Sequence, residues 1–311
     1  MDRNYGKSLA CQKFTKTLEG QIRNFWQIQT SSIYAERWWK NIEPENLPQT
    51  IAKYPEDSGR PFSSIDISPQ DYIKNFENVH ELNIENTFVN FITAFEVYLF
   101  DIIKRIFYMH PELVENSAMP MEAGIIGIEL SKGDIRDWFS QKLADKYLRN
   151  LTHLKMLKKI QGIVKCDFQK THNSKVEEWN KWTYVRNAII HNGREVSEDL
   201  NRVWPERFPS IGETLNLTDK DIILVHSLAI ELVKIIDKNA LKFYIKTDDA
   251  SLLIREFFVQ FGKDDRAELS QMMVKILNIK MKPQEIEAAL GFQRRTSAKI
   301  NGWKFSKYNF S

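Results

Sequence analysis

The sequence predicts an all-α protein, an up-and-down bundle of long helices. Three observations carry this. Apolar residues recur at i, i+3, i+4 over four separate stretches, two of those stretches open on capping-box sequences, and no convincing run alternates apolar and polar residues as a half-buried strand would. At 311 residues, 42% apolar and 27% charged, the chain can bury a large core and is neither disordered nor fibrous in composition.

The first 80 or so residues form an extension that is partly helical. A helix is expected around Phe14 to Trp39, with Trp26, Trp38 and Trp39 docking it onto the main body. A loop-like run from Glu43 to Pro69 follows, punctuated by Pro44, Pro48, Pro55, Gly59, Pro61 and Pro69. Met1 to Lys7 lack the charged-then-apolar pattern of a signal peptide, so export is not expected.

The bundle proper spans residues 81–247. Ile84, Phe88, Phe91, Ile92, Phe95, Leu99, Ile102, Ile103 and Ile106 trace one face of a long helix that ends near His110-Pro111. Its segment from Thr87 to Ile103 is the nearest approach to a membrane span, but Asn90, Glu96 and Asp101 interrupt it, so it reads as a buried helix of a soluble protein. A second helix starts at the capping box Ser131-Lys132-Gly133-Asp134, continues through Trp138, Leu143 and Leu148, and breaks before Leu154. A third covers Val176 to His191 and stops at Asn192-Gly193. The box Thr218-Asp219-Lys220-Asp221 opens a fourth, carrying Ile222, Val225, Ala229, Leu232, Val233 and Ile236. A small helical module, residues 248–311, completes the chain, with Pro283 at a helix start and Gly291 at its end, loosely like a helix-turn-helix.

Cys11 and Cys166 lie far apart and near no cluster of zinc-ligand spacing, so neither a disulfide framework, a metal nor another cofactor is expected, and a reducing cytoplasm fits. Net charge is only +3, yet from Lys275 onward eight basic residues face Glu285 and Glu287 alone. Within this tail Arg294, Arg295, Lys299 and Trp303 are candidates to hold a nucleic-acid backbone and stack on its bases.

The candidate chemistry lies at the end of the third helix, in Arg186-Asn187-x3-His191. Spacing alone is uninformative: 15 arginines and 6 histidines in 311 residues give about 0.3 chance pairs at any one separation. Arg105 and His110 repeat it, with only apolar or aromatic residues between them and Pro111 after them, which suits capping and covering of the bundle. At the other site, Asn187 and His191 share a helical face, and Arg186 is long enough to bend towards it. The negative end of the helix dipole favours a protonated imidazole at His191, suited to proton transfer, while the Arg186 guanidinium can clamp a phosphate. His80, His153, His172 and His226 have no partners that the sequence names.

With Arg186-Asn187-x3-His191 near the end of a late helix, and Phe95-Glu96-Val97-Tyr98-Leu99 on an earlier long one, residues from about 80 to 245 resemble the HEPN superfamily. These are all-helical bundles from prokaryotic toxin, abortive-infection and CRISPR-associated ribonucleases. The resemblance implies a homodimer whose composite site takes Arg186, Asn187 and His191 from each protomer and cuts single-stranded RNA without a metal. It implies Glu96 as a supporting acidic residue, a toxin or antiphage role, and a cognate antitoxin or regulatory protein as a further partner. The alternative from another class is a non-catalytic bundle that dimerises or binds RNA, with Arg186 and His191 kept for structure. A transcription regulator reading duplex DNA through the tail is a third.

Overall fold

The computed structural model describes residues 6–46, 68–114 and 135–295. The chain is predominantly helical, at 80% helix, which makes it all-α; among the described residues no strand forms, and Glu195 and Thr214 make an isolated antiparallel bridge. In order the helices are α1 Leu9–Lys40, α2 Pro69–Met109, α3 Ile135–Leu148, α4 His153–Val164, α5 Phe168–Thr171, α6 Asn173–His191, α7 Glu198–Val203, α8 Asp219–Ala240, α9 Asp248–Phe261, α10 Arg266–Leu277 and α11 Pro283–Arg295.

Several boundaries follow from local signals. Helix α2 begins at Pro69, well before Ile84, because Ser68 Oγ accepts the Asp71 N–H (3.1 Å) and proline at the first helical position gives up no needed donor. The expected capping box at Ser131 to Asp134 lies outside the described residues. The break before Leu154 is real: α3 ends at Leu148, Asn150 takes a left-handed φ of 61°, and Thr152 caps α4 through the Lys155 N–H (3.4 Å). At the start of α8 the Asp221 carboxylate accepts the Thr218 N–H (2.8 Å), one arm of the expected box.

Two expectations fail. Gly291 does not end a helix, since α11 runs through it to Arg295, so the turn of the supposed helix-turn-helix is absent there. A helix-interior glycine costs only about 1 kcal/mol, too little to stop a helix whose Ile286, Ala289 and Leu290 are buried. The stops in this module come from Gly262 (φ 64°) and Asn278 (φ 54°), which close α9 and α10 in the left-handed conformation. Nor do all three tryptophans dock: Trp39 is half-buried with its ring 5.8 Å from Tyr72, whereas Trp26 and Trp38 are exposed.

The chain divides into two compact units that do not follow chain order. Unit 1 comprises Met1–Thr17, Thr93–Thr183 and Ser227–Ser311; unit 2 comprises Leu18–Ile92 and Tyr184–His226.

In unit 1, Phe95, Tyr98, Leu99, Ile102, Ile103 and Ile106 of α2 are buried, with Phe95 packed on Trp179 at 4.3 Å between ring centroids. The N-terminal end of α1 is seated by two buried carboxylates. Asp237 accepts the Ser8 N–H (3.0 Å) and hydroxyl, and Asp249 accepts the Leu9 N–H (2.7 Å), so donors that a helix start leaves unpaired are satisfied. Asp249 also pairs with fully buried Arg105. Gly6 (φ 69°) lies against α10, where a Cβ would stand 2.3 Å from the Leu277 carbonyl oxygen; only glycine fits. Leu9 joins Leu253, Phe257, Leu269, Met273, Leu277 and Leu290 in the core formed by α9, α10 and α11.

In unit 2 the buried residues include Leu18 and Phe25 of α1, Phe88, Phe91 and Ile92 of α2, Val185 and Ala188 of α6, and Ile222 and Val225 of α8. One helix among the described residues, over Gln70–Met109, holds an 18-residue window of mean hydropathy 1.2, long and apolar enough to cross a membrane. More than half of that window, 56%, is buried inside the protein, and its phenylalanines at 88, 91 and 95 are core residues.

Candidate functional site

Helix α6 presents its C-terminal end in unit 2. Val185 and Ala188 are buried, while Asn187 and His191, about 40° apart on an ideal helix, share an exposed face. Arg186 lies on the flank and is half-buried. The helix stops where the sequence expects: Asn192 N–H still reaches the Ala188 carbonyl (3.1 Å), then Gly193 and Arg194 turn left-handed with φ of 61° and 71°. The Arg194 N–H returns to the same Ala188 carbonyl (3.3 Å).

Two of the three expected residues are joined directly. Arg186 Nη1 donates to Asn187 Oδ1 (3.1 Å), which holds the guanidinium beside the polar face. Its Nε is buried and has no hydrogen-bond partner among the described residues. His191 stands exposed in the last turn of α6, on the same face as Asn187 and one turn beyond it, where helix carbonyls are left unpaired. The arrangement therefore offers a guanidinium, an amide and a solvent-accessible imidazole along the closing turns of one helix. Such a set can bind an anionic group and exchange a proton with whatever is bound there.

The sequence reading missed what fastens this helix end. Arg194, three residues past His191, donates through Nε to Glu85 Oε1 and through Nη2 to Glu81 Oε2, both at 2.8 Å, and so grips two successive turns of α2. Burial pushes the Glu85 carboxyl above its ordinary value, and the Arg194 guanidinium works against that rise. The segment beyond is secured by Leu215 N–H to Arg194 O (2.8 Å) and Val196 N–H to Glu213 O (2.8 Å). The signal in the sequence was the i, i+4 pair Glu81 and Glu85 on α2; nothing local linked it to an arginine over a hundred residues away.

The remaining candidates are disposed differently. Glu96 belongs to unit 1, where its Oε2 lies 3.6 Å from His153 Nε2. Trp179 Nε1, which can only donate, bonds His153 Nδ1 (3.2 Å), so the ring proton of a neutral His153 sits on the side facing Glu96. Phe95 stacks on the same imidazole. Arg294 is engaged within unit 1: it bonds Asp264 (3.3 Å), lies 3.6 Å from Glu287, and sits over the Phe258 ring. Arg295 lines an open groove of about 520 Å³ along α11, with Arg266, Gln284, Glu287, Ala288 and Gly291. Lys299 and Trp303 lie outside the described residues.

The rival pair is engaged inside the fold. Arg105 is buried against Asp249, and the two ring nitrogens of His110 face Glu112 Oε1 (2.8 Å) and the Tyr244 carbonyl (3.1 Å). Among the described residues no group of three or more His, Cys, Asp or Glu side chains is placed to hold a metal ion. Both cysteines are buried, and burial pushes the Cys166 thiol up to about 12 and the Cys11 thiol further still, which disfavours the thiolate in the folded chain. No family model, curated protein or solved structure matches the chain.

Proposed function

We propose that the protein is an endoribonuclease of the HEPN type that cleaves single-stranded RNA by attack of a ribose 2′-hydroxyl on the adjacent phosphate, with no metal needed. The observation that carries this reading is the pair formed by Arg186 and Asn187, beside an exposed His191 at the end of the same helix. His191 moves the proton, as base towards the 2′-hydroxyl or acid towards the leaving 5′-oxygen. Arg186 carries the charge that develops on the phosphorane, and Asn187 orients the guanidinium and the phosphate.

An in-line displacement sets the 2′-hydroxyl and the leaving 5′-oxygen on opposite sides of the phosphorus, so a base and an acid on separate histidines reach both where one imidazole does not. Two protomers in a homodimer supply two imidazoles to one composite site, and the exposed face bearing Asn187 and His191 is the one that would meet its copy. A toxin or antiphage effector, restrained by an antitoxin or regulatory partner, is the biological role that fits this chemistry.

The test is cleavage of a single-stranded RNA in EDTA by wild type and by Arg186→Ala and His191→Ala. Acid–base and charge-stabilising groups contribute about 100- to 10,000-fold each, so each variant should fall by at least that order while keeping its helical signal and melting temperature. Products should end in 2′,3′-cyclic phosphate, and DNA of the same sequence should stay intact. Cleavage that persists in both variants would reject the assignment.

A further inference from the structure

From Leu18 to Lys40 the contacts of helix α1 with the described residues lie on one side. Within unit 2, Asn83 Nδ2 donates to the Phe25 carbonyl (3.2 Å), Gln29 bonds both His80 and Asp219, and Phe25 is buried. Among the described residues nothing covers the opposite face, and it is not the face of an ordinary solvated helix. Trp26, Tyr34 and Trp38 are 41%, 67% and 61% exposed. They fall with Thr30 on a single ridge of i, i+4 spacing, so the rings project about 12 Å and then 6 Å apart along the axis. Arg23 and Arg37 flank the ridge, both exposed and with no ion pair among the described residues, whereas the neighbouring carboxylate Glu36 is held by Lys40 at 2.6 Å.

Exposed tryptophan and tyrosine along one ridge, with exposed guanidinium groups beside them, match one partner chemistry closely. Base faces stack on aromatic rings without regard to sequence, and arginine supplies phosphate neutralisation. We infer that the outer face of α1 is a grip for single-stranded nucleic acid, in which Trp26, Tyr34 and Trp38 stack on bases and Arg23 and Arg37 hold phosphates. Ile33 is also exposed on this face, but Arg23, Gln27, Thr30 and Arg37 break the continuous apolar stripe that a helix lying in a lipid surface carries.

The grip is separate from the cutting residues. On α2, His80 and Asn83 face α1, while Glu81 and Glu85 face Arg194 at the end of α6; on an ideal helix the two pairs lie about 150° apart. A strand held on α1 is therefore retained at a distance from His191, and binding there neither requires cleavage nor follows from it.

The test uses full-length protein and a fluorescein-labelled oligodeoxyadenylate, which lacks the 2′-hydroxyl and so reports binding whether or not the protein cuts RNA. Wild type should bind it with an affinity that falls as salt rises. Trp26→Ala and Trp38→Ala should each weaken binding about ten-fold or more, while Trp38→Phe, which keeps a stacking ring, should retain most of it. Arg23→Gln with Arg37→Gln should flatten the log–log salt dependence by about 1.4, at about 0.7 per phosphate contact on a single strand. The idea is overturned if wild type does not bind, or if the Trp26→Ala/Tyr34→Ala/Trp38→Ala variant binds as well as wild type with an intact helical signal. It is equally overturned if that variant keeps its oligonucleotide affinity but loses binding to phosphatidylglycerol vesicles, which would make the face a lipid surface, or dissociates from dimer to monomer, which would make it a contact between copies.

Discussion

Two arginines in this chain are followed five residues later by histidine, each pair at or just past the end of a long helix, and the protein treats them in opposite ways. Arg105 is sealed from solvent against Asp249, and His110 has acceptors at both ring nitrogens. Arg186 is half-buried and bonded to its own neighbour Asn187, and His191 is exposed. The difference lies in the supply of partners. Around Arg105 the chain delivers a carboxylate from α9, and around His110 a glutamate and a carbonyl; the end of α6 is left with its polar groups facing outward. Identical spacing thus serves cohesion in one place and leaves an imidazole exposed to solvent in the other.

The sharpest way to break this contrast is to remove the two arginines in turn and measure stability by urea denaturation. Arg105→Met leaves Asp249 as a buried charge without its guanidinium and should cost about 3–5 kcal/mol. Arg186→Met should stay within about 1 kcal/mol, whatever it does to the proposed cleavage. Equal losses would erase the distinction between a pair that holds the fold and one left at its surface.

Next in size is a pH effect in the buried cluster around Arg105. Asp237, hydrogen-bonded by Ser8, has its carboxyl raised from 3.8 to about 6, first by burial, with nearby Asp249 adding to the rise and the Ser8 hydrogen bonds opposing it. Because the folded-state value is the higher one, the folded protein binds the proton more tightly than the unfolded chain. The associated stability is present below about pH 4 and lost as pH rises through 6, about 3 kcal/mol in all. Urea midpoints of wild type and Asp237→Asn should therefore shift against wild type by that amount between pH 4 and pH 7. A difference that stays constant with pH would show that Asp237 does not titrate in this window.

The smallest expected effect concerns the exposed site. Arg194→Ala removes the partner of buried Glu85 and frees the segment after His191, at a cost of about 1–3 kcal/mol. It should also shift the imidazole signals of His191 in NMR spectra, and Arg194→Lys should restore them in part. Unchanged His191 signals would mean that Arg194 has no role in placing the histidine.

What was readable in the sequence follows from locality. The long apolar stripe of α2, the stop at Asn192-Gly193, the cap at Thr218 and the proline start of α11 all depend on residues within a few positions of one another. Errors arose where a local signal competes with packing. Gly291 carries a weak stop that the buried face of α11 overrides, and Pro69 reads as loop punctuation although Ser68 and Asp71 make it a helix start. For the candidate site, Arg186, Asn187 and His191 could be picked out by residue type and helical position. Glu85, Glu81 and Arg194 could not, since their pairing spans more than a hundred residues.

By itself the sequence determined the all-α class, most of the helices, and which helix end bears an arginine, an amide and a histidine. Periodicity and capping are properties of neighbouring residues, and neighbouring residues are what a sequence records. The tertiary structure decided which Arg-x4-His pair is consumed and which is open, that Glu96 pairs with His153, and that Trp26 and Trp38 are exposed rather than docked. Each of these depends on which distant side chain arrives to satisfy or cover a group, and burial and pairing exist only once the chain has folded.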